Sequence, residues 1–498
     1  MSTLHSPVLI LGGGPGGCAA ALQLAKRGVL AVLVEKAVFP RDKVCGDALS
    51  GKVMRTLERL DPALAAQVNA DAHRMPSWGV VFVAPGGKAL RVPFSRETGI
   101  GEAPGAMLPR LDFDNILFQK VKATPGITVL EGTAAKSFER NKAGWQVTLE
   151  TGARTPNAEQ RTNSDERTTI ISTPLILDAS GANSHFARHV AGLGMEPRHH
   201  AAGVRAYYTG VKDLDQQGFI ELIFLRELLP GYLWVFPLPG GRANVGLGLR
   251  SDVVKKRRVD LKAVLLKLLA EHPSLKERFA DATLDGPVQG MGLPLASKRR
   301  KLSGDGYLLI GDAGHLIDPF TGEGISHAMI SGVHAADVAC EALEKASQQS
   351  AVPLLRRGRT DLGAKLSSSG EARGRSEPSA ELSSTPGARG RSEQDAKNSA
   401  AGEAESGAAP SFLEVPHALL RPYDTRVWRR LGQELAISTR LQQLADKPWL
   451  FDFVVDRATK NPALADTISS MFTDLDLRAR LKKPGFYMDL LLGRELGR

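Results

Sequence analysis

Cysteine is scarce. Three cysteines in 498 residues (Cys18, Cys45 and Cys340) are too few and too scattered for a disulfide framework or a CxxC metal site. They suit a reducing compartment, so a cytoplasmic setting and no bound metal are expected. Aromatic residues are also sparse, and none interleave with a basic stretch, which argues against nucleic acid as a partner. No apolar run reaches the roughly 18 residues that a membrane-spanning helix needs. Met1 to Ser6 is short and lacks an apolar centre, so no signal peptide is expected. Acidic residues fall short of basic ones, leaving a formal charge of +10. Much of the excess sits in Lys255–Arg258 and Lys298–Lys301. Such runs read as solvated faces; attraction to the inner face of an anionic membrane, or to a phosphorylated substrate, is the other reading.

Glycine, by contrast, is plentiful where it matters. An apolar strand, Val8 to Leu11, leads into Gly12, Gly14 and Gly17 at G-x-G-x-x-G spacing, with Pro15 and Gly16 between. A helix is expected from Cys18 to Arg27, then a strand from Ala31 to Val34 ending in Glu35. The first glycine permits the turn, the second lets a pyrophosphate approach the backbone, and the third lets helix pack on strand. An acid about 20 residues on can accept ribose hydroxyls. The pattern predicts a dinucleotide-binding unit.

Further along, strands are expected at Gly79–Val83 and Leu90–Pro93, split by a turn at Pro85-Gly86-Gly87. A helix is expected at Gly51–Leu60, Leu108–Asp114 leads into another that runs through Val121, and strands are expected at Ile127–Leu130, Trp145–Leu149 and Ile170–Leu177. Thr155–Thr168 reads as a polar hairpin loop. Gly203–Tyr208, Phe219–Leu225, Tyr232–Pro237 and Ala243–Leu249 follow without helices between them, the signature of an antiparallel sheet. After a helix at Leu261–Glu271 the α/β alternation returns: strand Gly306–Ile310, turn Gly311–Gly314, long helix Gly324–Ala346. The fold class is therefore α/β, α+β overall: a Rossmann-like nucleotide domain, an inserted mainly antiparallel sheet domain and a C-terminal helical region. The expected boundaries are 1–66 with 100–190 and 290–350 for the first, 67–99 with 191–289 for the second, and 412–498 for the third.

Residues 351–411 are different material. A period of 16 links Ala364–Glu377 to Ala380–Glu393, with a shortened echo at Arg357–Asp361. Large apolar residues are almost missing, so no core can form and disorder is expected. Beyond it, Trp428, Leu431, Leu435 and Leu441 recur at helical spacing within 419–444. Aromatic segments at Pro448–Phe453 and Lys483–Tyr487 complete a packed helical cap or the wall of a lipophilic site.

Three further stretches select flavin over nicotinamide. Gly311-Asp312 after a strand sets a carboxylate beside a cofactor sugar or sugar alcohol. Asp318-Pro319-Phe320-Thr321-Gly322-Glu323-Gly324-Ile325 opens a helix whose N–H groups favour negative charge. The third is Asp178–Ser184, ending at Arg188. With Phe39-Pro40-Arg41-x-Lys43-x-Cys45-Gly46, Arg110 and Tyr232-x-Trp234-x-Phe236-Pro237, continued by Asn244-Val245-Gly246-x-Gly248, the chain resembles the geranylgeranyl reductase family. That family lies within the flavoproteins typified by aromatic-ring hydroxylases. Flavin halogenases share the aromatic stretch in a Trp-x-Trp-x-Ile-Pro form, from which Tyr232 and Phe236 depart.

The resemblance implies FAD as cofactor, with NAD(P)H or another donor as reductant. It implies reduction of carbon–carbon double bonds in a prenyl or other lipid substrate; peripheral contact with a membrane is the expectation that the basic runs add. Gly12, Gly14, Pro15, Gly16 and Gly17 would hold the pyrophosphate, and Glu35 with Lys36 the ribose. Arg41, Cys45, Gly46 and Arg110 would run along the phosphates toward the ring. Ala134 would face adenine, Asp178 the backbone or pyrophosphate, and Gly311 with Asp312 the ribityl chain. Pro319, Gly322, Gly324 and Ile325 would lie at the ring. Cys45 and Tyr232 are candidate proton donors, and Trp234 lines the substrate pocket. The alternative on the same scaffold is an FAD monooxygenase acting on an aromatic or quinone-like substrate.

Overall fold

The computed structural model describes residues 3–94, 101–141, 144–152, 167–350 and 413–461. The 16-residue repeats, the segment at 483–487 and most of the loop expected over 155–168 lie outside them.

A six-stranded sheet carries the glycine loop. Its order is Ser303–Gly304, Tyr307–Leu309, Ile176–Asp178, Leu9–Leu11, Ala31–Glu35, Ile127–Glu131, parallel except at the first pair. The inner strands, Ile176–Asp178, Leu9–Leu11 and Ala31–Glu35, are short, mainly apolar and buried along their length because both faces are covered. Ile10, Leu33, Leu177 and Leu308 face the helices Pro15–Lys26 and Ile325–Ser350. Leu9, Leu11, Val32, Val34 and Ile176 face a four-stranded sheet formed by Thr3–His5, Arg167–Thr173, Gly144–Thr151 and Thr133–Asn141. The two helices meet backbone to backbone: a Cβ on Gly332 would lie 2.3 Å from the Gly16 carbonyl oxygen.

Some expected boundaries move, each for a physical reason. The first helix begins at Pro15, not Cys18, since proline is pre-set for the first helical position and needs no N–H there. The single strand expected over Ile170–Leu177 is two strands in different sheets. Pro174 cannot continue a ladder, and Thr173 folds its hydroxyl onto the Leu175 carbonyl at 3.0 Å as the chain changes sheet. Thr133–Asn141, which carries Ala134, is a strand that polar composition concealed.

The second unit is a seven-stranded sheet: Thr283–Pro294, His200–Thr209, Arg242–Arg250, Tyr232–Leu238, Ile220–Ile223, Gly79–Val83, Ala89–Pro93. It is antiparallel except where Ile220–Ile223 runs parallel to Gly79–Val83. Thr283–Pro294 escaped the sequence reading because Gly286 and Pro287 interrupt it; it is an edge strand, and the register shifts at that point. The first basic run forms the end of a short helix, Ser251–Arg257, and is exposed. In the second run, Lys298 and Arg300 bond Glu196 at 3.0 and 2.6 Å.

The C-terminal helix Pro422–Leu444 is part of the nucleotide-domain core. Val427, Leu431 and Leu435 are buried in the same cluster as Ile10 and Leu308, along with Trp428. The Tyr423 hydroxyl donates to the Leu309 carbonyl at 2.7 Å, and Trp428 Nε1 to the Arg300 carbonyl at 3.0 Å. Leu441 packs instead on the aromatic cluster of Phe82, Phe224, Phe320 and Phe451 beside the seven-stranded sheet.

Candidate functional site

The loop after the first strand is held open by local geometry. Gly12 is left-handed (φ 98°), and a Cβ there would lie 2.6 Å from the Ala179 carbonyl oxygen. The helix starting at Pro15 has no side-chain cap, so its first N–H groups face outward with the positive end of the helix dipole. Glu35 is buried; its carboxylate accepts the Gly13 N–H at 2.7 Å and the Ala37 N–H at 2.8 Å. It therefore braces the loop from the next strand, a job the sequence did not disclose. Lys36 is exposed beyond it.

Arg41 and Arg110 converge on one buried acid, Asp114. Arg110 forms a bidentate pair with it at 2.6 Å, and Arg41 Nη1 bonds it at 2.7 Å. These guanidinium groups, with Lys43, hold the Asp114 carboxyl below its usual range despite complete burial. Arg41 also lies against Gly14, its Nη2 3.7 Å from where a Cβ would be. A phosphate between Gly14 and Arg41 would meet an anchored cation and free helix N–H groups, so the cradle fits a dinucleotide. Asp178 faces elsewhere: it is fully buried, accepting Ser180 N–H at 3.0 Å and the hydroxyls of Ser180 and Ser184 at 2.5 and 2.6 Å. Ala134 lies on the strand next to the end of Ala31–Glu35, where Gly132 N–H reaches the Ala37 carbonyl at 3.3 Å.

From this cradle a cavity of about 1300 Å³, counting its mouth, runs to the large sheet. Pro15, Lys43, Cys45, Gly46, Arg110, Asp312, Gly322, Gly324 and Ile325 line it. Leu49, Ile220, Leu222, Tyr232, Trp234, Phe236, Met291 and Leu293 add a large apolar and aromatic share of the wall. Pro319 stands just behind, its carbonyl accepting from Gln442 Nε2 at 2.7 Å. Lys43 Nζ is 3.1 Å from Asp312. Gly311 permits close contact with the helix, where a Cβ would lie 2.6 Å from that of Ala328.

The aromatic stretch explains its own spacing. Tyr232, Trp234 and Phe236 share one face of their strand, as every second residue must. Each rests on a glycine from elsewhere in the chain. A Cβ on Gly322 would lie 2.9 Å from the Tyr232 hydroxyl oxygen, one on Gly246 2.3 Å from Trp234, and one on Gly46 2.7 Å from Phe236. The Tyr232 hydroxyl donates to the Thr321 carbonyl, and burial raises its pKa above the usual phenol value. Trp234 Nε1 donates to Asn244 at 2.9 Å.

Asn244 is a hub that sequence reading left without a role. Its amide also donates to the Cys45 carbonyl at 2.8 Å and to Asp47 at 2.7 Å. Asp47 is fully buried in a left-handed conformation and accepts the Tyr207 hydroxyl at 2.6 Å. Burial raises its pKa to about 6, against the pull of the Tyr207 and Asn244 bonds. The native state thus keeps this proton where the unfolded chain, near 3.8, loses it. Stability contributed here falls as pH rises from about 4 to 6, by roughly 3 kcal/mol, and stays low above. Urea unfolding across that window should show the decline in the wild type and a flatter curve in Asp47→Asn. Equal slopes would remove Asp47 as its source.

A second group lies at the loop 318–325, joining its motif residues Asp318 and Glu323 to Ser50, Lys52, His327 and Glu434, which no motif marks. Lys52, 1% exposed, bonds Glu434 and, at 3.3 Å, Glu323; Ser50 donates to Glu323. His327 Nε2 stands 3.7 Å from Glu434, while its Nδ1 contacts the Leu316 carbonyl at 2.7 Å. Asp318 accepts the Ser438 hydroxyl at 2.6 Å. Burial opposes the Lys52 charge, yet Glu323 and Glu434 outweigh it and raise its pKa. Lys52 in turn holds the Glu434 carboxyl down to about 2 despite burial.

The chain is similar to known flavoproteins. A family model described as FAD binding domain matches residues 5–352. Digeranylgeranylglycerophospholipid reductase of Methanocaldococcus jannaschii is 30% identical over 343 residues, covering 68% of this chain and 77% of its own. Menaquinone reductase of Mycolicibacterium smegmatis is 28% identical over 344 residues, covering 67% and 76%. In fold, a geranylgeranyl bacteriochlorophyll reductase-like protein from Thermoplasma acidophilum superposes with a TM-score of 0.68 at 20% identity, covering 99% of this chain and all of that one. A flavin-dependent brominase reaches 0.54 at 22% identity over 68% of this chain and 79% of its own. The chain is an FAD-binding oxidoreductase and belongs to the geranylgeranyl reductase family.

Proposed function

We propose that this enzyme reduces carbon–carbon double bonds in a prenyl lipid. The observation that carries the reading is the cavity: the glycine-loop and Asp312 groups proposed for the cofactor line it together with the aliphatic and aromatic surface of Leu49, Ile220, Leu222, Trp234 and Phe236. The names of the relatives, a digeranylgeranylglycerophospholipid reductase and a menaquinone reductase, support substrates with isoprenoid chains. FAD, once reduced, supplies a hydride, and NAD(P)H is the proposed donor that reduces it.

The chain's own residues bind and orient. The N-terminal turn at Pro15–Gly17, with Arg41 and Arg110 anchored on Asp114, takes the pyrophosphate. Glu35 and Lys36 take the ribose, Ala134 borders adenine, and Asp312 takes the ribityl hydroxyls. Gly46, Gly322, Gly324 and Ile325 admit the ring. Asp178 shapes the turn through Ser180 and Ser184 rather than touching the ligand. Trp234 and Phe236 press the isoprenoid against the ring face, and Cys45 and Tyr232 border the reacting carbons. Leu49, Ile220 and Leu222 exclude water around the double bond. Among the described residues no helix is long and apolar enough to cross a membrane, and substrate is proposed to be taken from a membrane surface.

The test is direct. Holoenzyme reduced anaerobically with dithionite is mixed with geranylgeranyl diphosphate or with menaquinone, and products are weighed by mass spectrometry. A gain of two hydrogens per double bond without oxygen is expected. Products that form only with oxygen and gain one oxygen atom would replace the reductase reading with a monooxygenase.

A further inference from the structure

The strand Arg242–Arg250 leaves room for the aromatic rings of its neighbour. In its pairing with Tyr232–Leu238, Gly248 stands opposite Tyr232, Gly246 opposite Trp234 and Asn244 opposite Phe236. Alternate residues share a face, and this face is the cavity side of the sheet. Leu233, Val235, Val245 and Leu247 are buried in the cluster on the other side. Two of the positions across from the aromatics therefore carry no side chain, and the third carries an amide. The benzo ring of Trp234 lies over Gly246, where a Cβ would come within 2.3 Å of Cζ2 and 2.7 Å of Cη2. Its Nε1 edge is held by Asn244 at 2.9 Å.

The partners of Asn244 fix which way its amide faces. An indole N–H only donates, and a backbone carbonyl such as that of Cys45 only accepts. The amide oxygen must therefore face Trp234, and the NH2 group is left for Cys45 and Asp47, which it reaches at 2.8 and 2.7 Å. A primary amide offers one acceptor and two donors in a single plane, and glutamine would add a methylene to a fully buried site. Asn244 is not itself part of the cavity wall, whereas Trp234, Phe236, Cys45 and Gly46 are. Phe236 lies against Gly46, and Asp47 takes the Arg110 backbone N–H at 3.3 Å. One rigid group thus ties the aromatic strand to the turn that follows Arg41, two stretches of the same wall that are 199 positions apart in their hydrogen bond.

We propose that Asn244 is a positioning residue of the reaction: it sets the Trp234 ring relative to the Cys45–Gly46 turn, and with it the alignment of the substrate double bond in the cavity. This rests on the reductase reading. Without the amide, the indole N–H is a buried donor with no acceptor, and the ring turns its edge into the cavity to find one. The space for the prenyl chain changes, and the double bond no longer meets the cofactor squarely. A misplacement of about 1 Å is enough to slow such a step by about 100-fold.

The experiment compares wild type, Asn244→Leu, Asn244→Asp, Trp234→Phe and Trp234→Phe/Asn244→Leu as FAD holoenzymes. Each is reduced with dithionite and reoxidised in single turnovers, anaerobically by saturating geranylgeranyl diphosphate and separately by oxygen, which needs no alignment on the wall. In Asn244→Leu the prenyl reaction should slow by about 10- to 100-fold more than the oxygen reaction. Asn244→Asp keeps an acceptor for the indole and should recover part of the loss. Trp234→Phe has no N–H to hold and leaves the bonds of Asn244 to Cys45 and Asp47 in place, so adding Asn244→Leu to it should cost less than in the wild type. Equal slowing of the two reactions in Asn244→Leu, or full additivity in the double variant, would overturn the proposal. The indole is followed directly by ¹H–¹⁵N NMR, where the signal missing from Trp234→Phe identifies it among the five tryptophans. Its exchange with D2O should be slow in wild type and Asn244→Asp and fast in Asn244→Leu. Fast exchange in the wild type, which needs no variant to fold, overturns the proposal, as does slow exchange in Asn244→Leu. If the wild type does not react with geranylgeranyl diphosphate, the reductase reading falls, and the indole exchange then decides by itself whether Asn244 fixes the wall.

Discussion

Gly17→Ala is expected to lose FAD. A Cβ at position 17 would sit 1.9 Å from the Gly12 carbonyl oxygen, and that atom belongs to backbone rather than to a movable side chain. Gly12 cannot retreat, because it is packed on the Ala179 backbone and donates its N–H to the Val34 carbonyl at 2.8 Å. The helix must therefore lift away from the strand and carry its first N–H groups off the phosphates. Overpacking of this kind costs about 1–3 kcal/mol, so affinity should fall roughly 10- to 100-fold. Fluorescence titration of the apoprotein with FAD measures it. Gly194→Ala, where a Cβ would meet nothing within 4 Å, is the matched control. Full FAD content after gel filtration of Gly17→Ala would contradict the geometry.

Lys52→Met is expected to cost about 3–5 kcal/mol of unfolding free energy, the range for removing one partner of a buried ion pair. Methionine fills nearly the same space, so packing is kept and the loss is electrostatic. Glu434 and Glu323 would lose the Lys52 ammonium between them, and Glu434, now held down to about 2, would rise. The wild-type contribution of Glu434 is present above its unfolded pKa near 4.5 and is lost only as pH falls toward 2. In Lys52→Met the sign reverses: stability should improve as pH drops and Glu434 is protonated. Chemical denaturation at several pH values tests both points, and Lys52→Met/Glu434→Gln should recover part of the loss. A deficit under about 1 kcal/mol would show that solvent screens the cluster.

The legible parts of this protein were those in which ligand chemistry and chain order coincide. The strand, glycine loop, helix and Glu35 fall within the first 35 residues, and their spacing announces a nucleotide site. Gly311-Asp312 and Asp318 to Ile325 stood out in the same way, because a carboxylate after a strand and a glycine-rich helix start are local devices. The tyrosine, tryptophan and phenylalanine of one strand were recognised as a motif. Their reason was not, since the glycines they rest on lie at positions 46, 246 and 322. Thr283–Pro294 failed because glycine and proline mark a broken strand in isolation, while an edge position tolerates both.

The sequence by itself determined the cofactor class and the doubly covered parallel sheet that holds it. Those depend on backbone conformation and on apolar runs, which neighbouring residues dictate. Tertiary structure alone decided which ionisable groups share a low-dielectric space. Lys52 and Glu434 are 382 positions apart, and Asn244 reaches Cys45 across 199. Composition cannot forecast such pairs, because the energy of a buried charge is set by what packing brings within a few ångströms, not by order along the chain.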